Sequence, residues 1–172
     1  LSPNLTRMAI AAGDHVRIVE MTRMDSGTIW TFEEVTELCR ARSGNPSHFI
    51  DVEFSPDGKY LYANVFDGSA GQVLQFDIQE SISNGPSRKI VGSGMNVALQ
   101  LGPDGKIYVG GMKNWGANGT TEYLGVISDP DGLFSFDPQG IEIPAPGHVG
   151  MGVLIGSVWI LFLHYFYKFH SY

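Results

Sequence analysis

A short turn-forming unit recurs along the sequence. Ser-Pro-Asp-Gly at 55–58 and Gly-Pro-Asp-Gly at 102–105 are each flanked by apolar segments, and Ser2 and Pro3 begin a degraded copy. Proline fixes φ, aspartate can hydrogen-bond to the local backbone and glycine accepts a positive φ, so each copy predicts a turn between two strands. The predicted turn residues are Pro56, Asp57 and Gly58 in one copy and Pro103, Asp104 and Gly105 in the other. Recurrence about every 50 residues predicts a repeated structural unit.

Strand-like segments accompany each turn in the same order. They are 8–12, 15–23 and 34–42 in the first copy, 49–54, 60–66, 71–79 and 88–93 in the second, and 96–101, 107–111, 122–130 and 140–144 in the third. Four short antiparallel strands in about 40 to 50 residues are typical of a β-propeller blade. A sandwich of hairpins is the alternative, but it gives no reason for the turn to recur at this period. We therefore predict an all-β fold, a partial β-propeller of about three four-stranded antiparallel blades.

The predicted blades span approximately 1–45, 46–94 and 95–146, and residues 147–172 form an apolar C-terminal segment. Three blades do not close a ring, and an open ring leaves strand edges exposed. We therefore expect either further blades of a longer parent chain or pairing with another copy of this chain.

Composition excludes several classes of function. The net charge is −7 and only 17% of the residues are charged, with no cluster of Lys and Arg, so we expect no binding of nucleic acid. The one cysteine, Cys39, excludes an internal disulfide and a zinc site built on several cysteines. We expect Cys39 to be a buried, small apolar residue.

The apolar C-terminal segment allows three interpretations. Residues 149–167 contain no Asp, Glu, Lys or Arg and would span about 28 Å as a helix, close to the thickness of a bilayer core. This pattern predicts membrane association. The alternatives are one or two buried strands, or a terminus altered by truncation or a frameshift.

The longer repeat segments carry a family resemblance. In order, they are VEFSPDGKYLYANVFDGSAGQVLQFDI, ALQLGPDGKIYVGG and EYLGVISDPDG. They resemble the bacterial WD-like and YVTN-type β-propeller repeat, a family that includes lactonase-like propellers. Over residues 2–152 they resemble a module of large secreted surface proteins of bacteria with type IX secretion. The resemblance implies a non-enzymatic extracellular or cell-surface module that binds protein or carbohydrate. The alternative function is a lactonase-like hydrolytic propeller with a divalent metal in its channel.

The sequence gives only weak signals for catalytic or metal-binding residues. Asn64, Asp67 and Asn96 lie near predicted strand ends, where Asn and Asp are common for turn formation. Residues 129–132 lack the ligand spacing of a calcium loop. We therefore predict no catalytic residues, no metal ligands and no cofactor, and calcium stays open as an alternative that no motif supports.

One polar loop is the candidate binding site. Residues 114–123 contain Trp115 with Asn114 and Asn118 beside it, and loops at a propeller face often carry function. The alternative is that Trp115 packs between blades. We predict binding of a protein or glycan by these three residues.

Overall fold

The structure of the chain is a computed structural model that describes residues 1–3, 6–23, 30–40, 48–66, 71–93, 98–110, 120–121, 123–142 and 149–150. In these residues the chain forms three antiparallel sheets of three or four strands, a two-stranded pair and one short helix. The first sheet has the order β1 (Arg7–Ala12), β2 (His15–Arg23) and β3 (Trp30–Arg40).

The second and third sheets each have four strands. The second consists of β4 (His48–Phe54), β5 (Tyr60–Phe66), β6 (Gly71–Asp77) and β7 (Arg88–Ser93). The third consists of β8 (Leu99–Leu101), β9 (Ile107–Gly110), β11 (Tyr123–Ser128) and β12 (Ser135–Glu142). The separate pair is β10 (Thr120–Thr121) with β13 (Val149–Gly150), and the helix is α1 (Ile78–Asn84). In the second sheet neighbouring strands are consecutive in the chain, as in a meander, whereas in the third sheet β10 lies between the paired strands β9 and β11 in the chain.

The recurring sequence unit forms the turn between the first two strands of a sheet. Gly58 has φ +72° and Gly105 has φ +77°, a conformation that favours glycine. The Gly58 N–H donates to the carbonyl of Ser55 at 2.9 Å, and the Gly105 N–H donates to the carbonyl of Gly102 at 3.1 Å. Both hydrogen bonds join the first and fourth residues of a β-turn.

The degraded first copy keeps one hydrogen bond of the turn, the one that the serine hydroxyl accepts. The Ser55 hydroxyl accepts a hydrogen bond from the Tyr60 N–H at 2.9 Å. The Ser2 hydroxyl accepts the equivalent bond from the Arg7 N–H, also at 2.9 Å. The serine therefore caps the strand that follows the turn even where the Asp-Gly pair is missing.

Two apolar clusters hold the three sheets together. The first lies between the first and second sheets, and its fully buried members include Val16, Ile18, Leu61 and Phe76. The second lies between the second and third sheets and includes Tyr62, Val73, Ile107 and Ile127. Both faces of the second sheet are therefore covered, which is expected of a blade inside a propeller.

The structure confirms the predicted all-β fold and corrects its details. In the described residues the first sheet has three strands and not four. The predicted strand 71–79 ends at Asp77, whose carboxylate accepts the Glu80 N–H at 3.0 Å and begins helix α1. The predicted strands 96–101 and 140–144 are observed as β8 and β12, which begin at Leu99 and Ser135.

The predicted membrane segment is described only at its start. Val149–Gly150 form strand β13, and the remainder of 149–167 lies outside the described residues. Within the described part of the chain, no helix has the length and apolar character needed to span a membrane.

Candidate functional site

Two carboxylates of β4 bridge the second sheet to the third. The Asp51 Oδ2 atom accepts a hydrogen bond from the Leu99 N–H at 2.8 Å, and the Glu53 Oε2 atom accepts one from the Leu101 N–H at 3.0 Å. β4 and β8 are the first strands of their sheets, so each has an edge that no strand of its own sheet pairs. The spacing of two residues on both strands follows from the alternation of side chains along a strand.

The second oxygen of each carboxylate accepts a hydrogen bond from a backbone N–H of β4 itself. Asp51 Oδ1 accepts the Val52 N–H at 2.8 Å, and Glu53 Oε1 accepts the Phe54 N–H at 3.1 Å. Two side chains thereby satisfy four backbone donors on two strand edges. This arrangement avoids unpaired N–H groups where the inner strands meet.

The environment perturbs both carboxyls in the same direction. Burial raises the pKa of Asp51, and the hydrogen bonds from Leu99 and Val52 only partly oppose it. Burial also raises the pKa of Glu53 against the hydrogen bonds from Leu101 and Phe54. Carboxyls with raised pKa values are candidates for functional groups, but structural networks produce the same shift.

These shifts predict a pH dependence of stability. Because the folded pKa values of Asp51 and Glu53 exceed the ordinary values of 3.8 and 4.5, the folded chain binds these protons more tightly than the unfolded chain. Their contribution is complete below the ordinary values and is lost as pH rises through the folded values. We expect the unfolding free energy of the wild type, relative to an Asp51→Asn/Glu53→Gln variant, to fall as the pH rises above the ordinary values of these carboxyls.

Urea unfolding of both proteins at several pH values below and above these ordinary values checks the prediction. The double variant has no titrating group at either position, so it removes the pH dependence of the remaining groups from the comparison. A difference that stays constant or rises with pH would contradict the raised pKa values.

A second polar network joins the same two sheets nearer the turns. The Tyr62 hydroxyl donates to the carbonyl of Pro130 at 2.9 Å and accepts a hydrogen bond from the Gln75 side-chain amide at 2.7 Å. The Asp57 N–H donates to the Asp131 carboxylate at 2.9 Å. Tyr62 is fully buried, and burial raises the pKa of its hydroxyl, which remains a donor at neutral pH. The network fixes the β11–β12 turn against the second sheet.

The predicted binding residues Trp115, Asn114 and Asn118 lie outside the described residues and stay predictions. Asp67 and Asn96 lie outside them as well. Elsewhere, Asn64 is buried on β5, and Cys39 is buried on β3, where burial raises the pKa of its thiol. Strand register places Asn64 of β5 directly opposite the bridging residue Asp51 of β4.

Sequence reasoning missed Asp51 and Glu53. A signal was available, because FIDVEF places both carboxyls on one face of a strand that is otherwise apolar. No group of three or more His, Cys, Asp or Glu residues is arranged to hold a metal ion in the described ranges.

Comparison with solved structures identifies the class of fold. A proposed 6-phosphogluconolactonase from Bacteroides uniformis matches 87% of this chain with a TM-score of 0.53 and 18% sequence identity. One from Bacteroides fragilis matches 80% with a TM-score of 0.47 and 20% identity, and the C-terminal WD40 domain of Sif2 matches 77% with a TM-score of 0.42 and 11% identity. The fold is a partial β-propeller.

The chain spans 42%, 36% and 34% of the lengths of these three structures, respectively. No protein-family model matches the sequence, and no curated protein matches it. At these identities the likeness concerns the fold alone.

Proposed function

We propose that the chain forms part of a propeller that binds and hydrolyses sugar lactones. The observation that supports this function is the likeness, over 87% of the chain, to a propeller proposed to be a 6-phosphogluconolactonase. It favours the lactonase-like alternative over the non-enzymatic module as the first function to test.

The chemistry sets clear requirements. Opening a lactone needs a base for the attacking water and a hydrogen-bond donor for the carbonyl oxygen as it becomes negative. Asp51 and Glu53 have raised pKa values, but all four of their oxygens accept backbone N–H bonds. We therefore assign them to the scaffold. No step is assigned to a metal, since the described residues do not fit one.

The test is hydrolysis of 6-phosphoglucono-δ-lactone by the purified full chain. Proton release is followed at constant pH and compared with spontaneous opening in the same buffer, with urea-unfolded chain as the control. We expect a rate that rises in proportion to the concentration of folded protein. A rate equal to the spontaneous one at all protein concentrations would contradict the proposal.

The second candidate is the non-enzymatic interaction module that binds protein or carbohydrate. The observation that favours it is that every oxygen of both bridging carboxylates accepts a backbone N–H bond, which supports a structural role for these two groups. Saturable binding of a saccharide without turnover of any lactone would support this candidate over the first.

A further inference from the structure

The chain makes the same kind of sheet-to-sheet contact twice. We call the side of a sheet that is turned to the next sheet along the chain its forward face, and the opposite side its rear face. The forward face of the first sheet, with Ala9 and Val16, packs on the rear face of the second, with Leu61. The forward face of the second, with Tyr62, packs on the rear face of the third, with Ile107.

The third sheet repeats the forward-face pattern of the second. In the second sheet, strand register places Glu53, Tyr62 and Gln75 in one row. In the third sheet, register places Gln100, Tyr108 and Val126 in one row, on the side opposite Ile107 and Ile127. Glu53 and Gln100 are each the second-to-last residue of the strand that precedes a Pro-Asp-Gly turn. The two rows therefore occupy equivalent positions in their sheets.

Turn geometry supports the equivalence of Tyr62 and Tyr108. The Ser55 N–H donates to the carbonyl of Tyr60, whereas the Gly102 N–H donates to the carbonyl of Lys106. The third turn is therefore one residue shorter, and Tyr108 follows its turn at the place that Tyr62 holds in the second sheet.

The hydroxyls of these two tyrosines have different acceptors. Tyr62 reaches across to the carbonyl of Pro130 in the next sheet. Tyr108 donates to Asp104 of its own turn at 2.8 Å. Burial, with help from Asp104, raises the pKa of Tyr108 to about 12, so the hydroxyl is a donor at neutral pH. Neither of the two apolar clusters between the described sheets includes Tyr108 or Val126.

The rear face of the first sheet is the matching surface. Register places Met8 and Val19 on one side of this sheet, opposite Ala9 and Ile18, which pack against the second sheet. Ile10 lies on the same side as Met8 and is 37% exposed. Phe32 pairs with Met21 on that side and is 59% exposed. Exposed apolar side chains on one sheet face are typical of an interaction surface.

We propose that the forward face of the third sheet binds the rear face of the first sheet in a second copy of this chain. The occupant follows from continuity, because the contact joins the same two kinds of face that the chain already joins twice. Such an interface is heterologous, with different surfaces on the two partners. The chain spans 42% of the Bacteroides uniformis propeller, so a ring of that size has room for a second copy.

The contact would change the acceptor of one hydrogen bond. In the isolated chain the Tyr108 hydroxyl donates to Asp104. On docking it would donate instead to a backbone carbonyl of the partner copy, as the Tyr62 hydroxyl donates to the carbonyl of Pro130 within the chain. Apolar area from Met8, Ile10 and Phe32 leaves water at the same time, which supplies the driving force.

The first experiment is sedimentation velocity of the full chain over a range of concentrations. We expect concentration-dependent association of the wild type. Ile10→Asp on the rear face and Tyr108→Lys on the forward face should each weaken it at least about tenfold, because each buries an unpaired charge. Ile90→Asp is the matched control, since Ile90 is 60% exposed on the outer strand of the second sheet and lies on neither surface. It should associate like the wild type.

Mixing the two variants tests the head-to-tail geometry. Ile10→Asp keeps an intact forward face and Tyr108→Lys keeps an intact rear face, so each alone should be monomeric and their mixture should form dimers. Met8→Asp and Gln100→Lys form a second pair for the same test, and near-ultraviolet circular dichroism verifies that each variant is folded. A monomeric wild type, association that both variants retain, or folded variants whose mixture stays monomeric would overturn the proposal. Lactone hydrolysis is not used as a readout, so the result is independent of the proposed function.

Discussion

Asp51→Ala is expected to lower the free energy of unfolding by about 2 kcal/mol. The substitution removes the acceptor of two backbone donors, the Leu99 N–H at 2.8 Å and the Val52 N–H at 2.8 Å. Leu99 is 4% exposed, so water cannot freely replace the lost acceptor on its side. The bridge also joins two inner strands that no backbone ladder connects, so its loss weakens the attachment of the third sheet.

The matched control is Asp137→Ala. Asp137 is exposed and accepts one hydrogen bond, from the Gln139 N–H at 2.9 Å within the same strand. Its removal should cost less than about 1 kcal/mol, because water can satisfy the donor. Urea unfolding of both variants measures the difference. Equal losses for Asp51→Ala and Asp137→Ala would show that the bridge adds no stability.

The hairpins of this fold are predictable because their information is local. Pro-Asp-Gly specifies the turn through the preferences of three adjacent residues, and Gly58 and Gly105 adopt the positive φ that this turn requires. Helix α1 was also specified locally, by Asp77 followed three residues later by Glu80, a common helix-start pattern. The strand pattern of 71–77 concealed it, since the apolar Ile78 extends the alternation.

The bridges between sheets are not predictable in the same way. Asp51 and its partner Leu99 are 48 residues apart in sequence, and nothing near either one specifies the other. The equivalence of Tyr62 and Tyr108 is hidden as well, because the third turn is one residue shorter and a gapless alignment places Leu61 against Tyr108. These contacts depend on how sheets pack, which the repeat predicts only in outline.

Two different sets of hydrogen bonds attach the third sheet to the second. Along the inner strands, the partly buried carboxylates Asp51 and Glu53 accept backbone donors. Nearer the turns, the neutral Tyr62 hydroxyl donates to the carbonyl of Pro130 and accepts a hydrogen bond from the Gln75 amide. The Tyr62 and Gln75 bonds should not respond to pH in the acidic range, whereas the carboxylates Asp51 and Glu53, and Asp131 in the second network, should.

Tyr62→Phe is the second large prediction, with an expected loss of about 2 kcal/mol of unfolding free energy. Tyr62 is fully buried, and its hydroxyl makes hydrogen bonds to two partners. Removing the hydroxyl takes the donor from the Pro130 carbonyl and the acceptor from the Gln75 amide. Tyr108→Phe is the matched control, because the equivalent hydroxyl donates to the exposed Asp104. It should cost less than about 1 kcal/mol when unfolding is measured at high dilution.

The companion substitution Gln75→Leu distinguishes an unsatisfied amide from a general packing defect. Gln75 is 3% exposed, so in Tyr62→Phe its amide stays buried with one partner fewer. Replacing both partners with apolar groups of similar shape removes that unsatisfied amide. Tyr62→Phe/Gln75→Leu should therefore be more stable than the sum of the two single losses predicts, by about 1 kcal/mol in a double-mutant cycle. Strict additivity of the two losses would show that the hydroxyl and the amide stabilise the sheet contact independently.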